Sequence, residues 1–94
     1  MLSMESQGKE NDNVVVDVLF FARAREIAGV SQMKLELRAS STTRDCVEEL
    51  LSRFPGLEEI KGVLIVALNH EYVCEPSQLK HGDEVALIPP VSGG

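Results

Sequence analysis

The chain has 94 residues, 44% of them apolar and 26% charged, with nine Lys and Arg against fifteen Asp and Glu and a net charge of −6. That length accommodates one small domain with a single core. The acidic balance excludes a phosphate-backbone binder, whose affinity comes from clustered Lys and Arg, and no apolar run approaches the ~20 residues that span a bilayer.

An acidic surface suits a basic protein partner, found faster through long-range attraction. Cys46 and Cys74 stand apart, with no C-x-x-C and no histidine at ligand spacing. Neither a disulfide framework nor a metal site is expected, and a reducing compartment is the simpler assumption. The amino terminus lacks an apolar signal segment, and Glu5, Glu10 and Asp12 do not suit an import peptide. The expectation is a cytosolic protein.

In chain order, residues 1–13 are polar and without period, which predicts a disordered tail. Val14–Phe21 alternates as a strand. Its even positions (Val14, Val16, Val18, Phe20) make an unbroken core side, while Asp17, Leu19 and Phe21 share the other. Apolar residues at one end of an outer face await either a partner or a covering loop or helix. Ala22–Ala28 is rich in helix formers and is stopped by Gly29, so a short helix or helical turn is predicted. Gln32–Arg38 alternates again, with Met33, Leu35 and Leu37 inward, as a strand antiparallel to the first.

Thr42 and Asp45 form a capping-box pair for a helix running to about Phe54. Val47, Leu50, Leu51 and Phe54 give it one buried stripe, and Cys46, a turn before Leu50, is a packed thiol. Pro55-Gly56 ends that helix, and Leu57–Lys61 is expected to be a loop or single turn. Val63–Leu68 is apolar at every position, which predicts a strand at the sheet centre covered on both faces. Asn69-His70 makes a turn into a short strand around Tyr72–Cys74, and both His70 and His81 are surface turn residues. The last strand ends at Ile88, because Pro89 and Pro90 fix φ and lack donors.

Strand, short helix, strand, long helix, strand, short strand, strand predicts an α+β fold. One amphipathic helix across a mixed sheet is the β-grasp, or ubiquitin-like, arrangement. Its first and last strands are central, adjacent and parallel, joined through a long crossover. The domain spans 14–88, and residues 89–94 form an extended arm reaching roughly 20 Å at ~3.3 Å per residue. Gly93 and Gly94 lack side chains, so a narrow channel could admit the backbone up to the terminal carboxylate. With no metal set, phosphate loop or nucleophile–base pair in the sequence, that carboxylate is the candidate reactive group.

Three segments, F-F-A-R-A-R-E-I-A-G (Phe20–Gly29), A-L-N-H-E (Ala67–Glu71) and G-D-E-V-A-L-I-P-P-V-S-G-G (Gly82–Gly94), resemble the MoaD-like sulfur-carrier subunits of molybdopterin synthase. The resemblance runs from Val14 onward, and the Pro-Pro-Val-Ser-Gly-Gly ending is its most specific part. It implies that a ubiquitin-activating-like adenylyltransferase/sulfurtransferase adenylates Gly94, consuming ATP, and then thiocarboxylates it. The arm (Pro89, Pro90, Val91, Ser92, Gly93, Gly94) would enter the large synthase subunit of a heterotetramer. There the thiocarboxylate would give sulfur to cyclic pyranopterin monophosphate, two carriers serving each dithiolene. The carrier would hold no cofactor and would not be an enzyme by itself. Leu19, Phe21 and Ile88 are the expected docking patch. A thiamine-pathway sulfur carrier, a ubiquitin-like modifier and an inert interaction module are the alternatives.

Overall fold

Alternation of apolar and polar side chains carries β1 through Asn13–Phe20. The computed structural model describes residues 13–90, so the proposed amino-terminal tail and Val91–Gly94 lie outside the described residues, except for Asn13, which opens β1. Val14, Val16, Val18 and Phe20 are buried, and Val15, Asp17 and Leu19 take the opposite face. Helix α1 (Ala22–Ala28) stops where Gly29 adopts φ 82° and donates its N–H to the Arg25 carbonyl at 2.8 Å. A side chain there would crowd the left-handed backbone, so glycine suits the position.

Strand β2 (Gln32–Arg38) lies antiparallel to β1, with Leu35 opposite Val16. Helix α2 (Thr43–Arg53) begins with the expected capping box. Thr42 Oγ1 accepts from the Asp45 N–H at 3.3 Å, and Asp45 Oδ2 accepts from the Thr42 N–H at 2.9 Å. The helix buries Cys46 and Leu50, with Val47, Leu51 and Phe54 packed around them. Beneath it, the Phe54 ring meets Phe20 edge-on, centroids 5.8 Å apart, an arrangement favoured by the ring quadrupoles.

Two expectations need correction. Pro55–Val63 is a 3₁₀ helix rather than a loop or single turn, and it buries Leu57 and Ile60. Proline presets the first turn, and the three-residue spacing of those two side chains matches the period of this helix. The apolar run at 63–68 is also divided. Val63 closes the 3₁₀ helix and is 56% exposed, and β3 covers only Ile65–Leu68. The sheet order is β2-β1-β5-β3-β4, so β3 lies between the final strand and an edge rather than at the centre. Uniform apolarity does not distinguish a doubly covered strand from one whose outer face is bare. Among the described residues the one long helix packs on one face and leaves the other bare.

Strand β4 (Glu71–Val73) pairs with β3 across a two-residue turn, one position earlier than the expected Tyr72–Cys74. Asn69 and His70 take φ 51° and 76°, the positive pair that a tight hairpin of this kind needs. Strand β5 (Glu84–Ile88) runs parallel to β1 and antiparallel to β3 in the middle of the sheet, as the β-grasp reading requires. His70 and His81 are exposed, and His81 Nδ1 also accepts the Val15 N–H at 3.1 Å. No helix among the described residues is long and apolar enough to cross a membrane.

Candidate functional site

Parallel pairing of β1 with β5 brings two distant segments of the chain to one end of the sheet. Leu19 lies beside Ala86, and the Phe21 N–H, just past β1, donates to the Leu87 carbonyl at 3.2 Å. Phe21 therefore stands next to Ile88, and Ile88 is paired on its other side with Ile65. The three residues expected to dock a partner, Leu19, Phe21 and Ile88, do share one face at one end. Pro89 follows β5 into a buried position, whereas Pro90 is exposed. Val91, Ser92, Gly93 and Gly94 lie outside the described residues.

The patch is wider than the sequence reading made it. One row across the outer face runs Leu19, Ala86, Ala67, Tyr72, and a second runs Phe21, Ile88, Ile65. Phe21 is 46% exposed, Ile65 41% and Tyr72 74%. Ala67 and Ala86 are buried even though they face outward, their short side chains sunk between larger neighbours. A signal for Ile65 and Ala67 was present: in any strand drawn from 63–68, alternate residues must face away from the one covering helix. Tyr72 carried none, because its face depends on pairing with Ala67.

Polar groups bound this patch on the side away from the arm. Lys34 and Asp17 form an ion pair at 2.7 Å, and Glu84, the neighbour of Asp17, lies 3.6 Å from His70 Nε2. Behind the patch, Arg23 on α1 holds Glu59 of the 3₁₀ helix with two contacts of 3.0 Å and also reaches Glu26. The guanidinium keeps the Glu59 carboxyl below its usual range, chiefly through those hydrogen bonds. Both groups are exposed, so the pair orients α1 more than it stabilises the fold.

Cys46 is the opposite of a reactive thiol. Burial, with Glu49 adding to it, pushes its pKa up to about 12. A thiol held protonated is a poor nucleophile. The body supplies an apolar end surface beside Pro89 and Pro90.

A mixed five-stranded sheet with α2 packed across it and central parallel β1 and β5 defines a β-grasp type of protein. The ThiS family model matches residues 18–94. The molybdopterin synthase sulfur carrier subunit of Arabidopsis thaliana is 43% identical over 88 residues, covering 94% of this chain and 92% of the relative. Among solved structures, a molybdopterin converting factor subunit 1 from Pyrococcus furiosus aligns with TM-score 0.75 and 35% identity, over 83% of this chain and 99% of that one. A complex of subunits 1 and 2 of the molybdopterin-converting factor from Helicobacter pylori aligns with TM-score 0.61 and 30% identity, over 86% of this chain and 100% of that one. This chain belongs to the ThiS family, within the group of molybdopterin synthase sulfur carrier subunits.

Proposed function

We propose that this chain carries sulfur on its carboxyl terminus for molybdopterin synthesis. A carboxylate is a poor electrophile until one oxygen becomes a good leaving group. An activating enzyme of the adenylyltransferase/sulfurtransferase type would join the Gly94 carboxylate to AMP from ATP, releasing pyrophosphate. Sulfur at the sulfide level then displaces AMP, leaving a thiocarboxylate. The charged arm enters the large synthase subunit and gives its sulfur to cyclic pyranopterin monophosphate. Two sulfurs per dithiolene require two charged carriers. The chain performs no catalysis alone, holds no cofactor, and works in the cytosol as part of a heterotetramer with two large subunits.

The observation that carries this reading is the apolar end surface of Phe21, Ile88 and Ile65 around the root of an arm that ends Pro-Pro-Val-Ser-Gly-Gly. A body with a bare apolar rim and a side-chain-free tip fits a partner that grips the rim and swallows the tip. Intact mass after incubation with ATP, a sulfur donor and the activating enzyme tests it, since one oxygen should be replaced by one sulfur. Deleting Gly94 should abolish that change and precursor conversion while leaving the circular dichroism spectrum intact. Conversion that survives the deletion would sink the proposal, and lysine-linked adducts in place of thiocarboxylate would favour a protein modifier.

A further inference from the structure

Strand β2 forms one edge of the sheet, paired among the described strands with β1 alone. The Phe20 N–H donates to the Ser31 carbonyl at 2.9 Å, which sets the phase of the ladder. Ser31, Met33, Leu35 and Leu37 therefore aim their backbone groups at β1. Gln32, Lys34 and Glu36 aim theirs away from β1, as does Arg38, whose carbonyl also accepts from the Ser41 N–H at 2.9 Å. A seven-residue strand with a row of donors and acceptors that no second described strand pairs is a template for another strand.

Charges along an edge usually repel such additions. Here their alternation makes one exception. An antiparallel copy of β2 can bond only where outward-aimed residues face one another, so three registers overlap most of the strand. Centred on Lys34, lysine faces lysine. Centred on Glu36, carboxylate faces carboxylate and Lys34 faces an arginine. Like charges directly opposite destabilise a sheet. Centred on Leu35, each Lys34 faces Glu36 of the second copy and each Gln32 faces Arg38. The same register sets Leu35 against Leu35 and Met33 against Leu37 on the inner side. Met33 and Leu37 are half-buried in the single chain and have apolar surface left to cover.

We infer that two copies of this chain pair through β2 about a two-fold axis at Leu35, joining two five-stranded sheets into one. The axis reverses one copy relative to the other, so the Pro90 residues of the two copies lie at opposite ends. The apolar rows between Leu19 and Tyr72 stay open on both copies. The contact is small beside the ~1,200 Å² of stable complexes, and each copy carries a net charge of −6. Association is therefore weak, with a dissociation constant on the order of 0.1–1 mM at physiological salt.

Sedimentation equilibrium of the full chain up to about 1 mM tests this, with urea unfolding to show that each variant folds. Lys34→Glu places two carboxylates opposite each other, and Glu36→Lys places two ammonium groups. Each variant alone should associate at least tenfold more weakly than the wild type. An equimolar mixture of the two should recover wild-type association, because every facing pair is again of opposite charge. Carrying both changes on one chain should do the same. A wild type that remains monomeric, single variants that associate as well as the wild type, or a mixture that fails to recover would each overturn the proposal. Association through residues 1–12 or through the outer apolar rows would be indifferent to the charge swap and would overturn it too.

Discussion

The two cysteines illustrate how position alone sets the chemistry of one side chain. Cys74 is exposed and Cys46 is buried on α2. Iodoacetamide should modify one thiol per folded chain, at Cys74, and both in urea; mass spectrometry of the native sample with two adducts would contradict this. Cys46 also links stability to pH. Its folded pKa of about 12 stands above the ordinary 9.0, so the unfolded chain loses this proton first as pH rises. Stability from this group is complete below about pH 9 and declines toward pH 12, by up to about 1.4 kcal/mol per unit. Urea midpoints measured from pH 8 to 10.5 should fall less steeply for Cys46→Val than for the wild type, and parallel slopes would refute the linkage. The packed thiol was legible from its place on the helical stripe. The exposure of Cys74 was not, because it hung on where β4 ended.

At the scale of elements, those with both a start signal and a period were the readable ones. Helix α1 closes at Gly29, β2 alternates over Gln32–Arg38, and α2 opens with Thr42 and Asp45. Removing the cap by Thr42→Ala should cost about 1 kcal/mol, a drop in melting temperature of about 4–8 °C for a domain of this size. Calorimetry showing no drop would mean that the capping box is immaterial. The stretch from Pro55 to Leu68 resisted reading for a physical reason. Leu57 and Ile60 repeat with period three and then run into Val63–Leu68, where every side chain is apolar and no period exists. The division between 3₁₀ helix and strand at Leu64 is decided by pairing with β5, through Ile65 opposite Ile88.

For the whole molecule, the consequential feature is the outer face of the sheet. Phe21→Glu and Tyr72→Glu place charge in its two apolar rows. Each should weaken binding to the large synthase subunit tenfold or more, the effect expected where an aromatic anchor is lost. Exposed substitutions of this kind should leave unfolding free energy within about 0.5 kcal/mol of the wild type. Titration calorimetry giving unchanged affinity for Tyr72→Glu would confine docking to the end nearest the arm. By itself the sequence determined the alternating strands, both α-helices, the β-grasp order of elements and the Pro-Pro stop after β5, because local sterics and periodicity specify them. Only the tertiary structure decided that β3 stands outside the centre, that Pro89 is buried, and that Tyr72, Ile65 and Phe21 form one surface. Those facts follow from strand pairing between residues far apart in the chain, and pairing is a property of the folded sheet rather than of any single stretch.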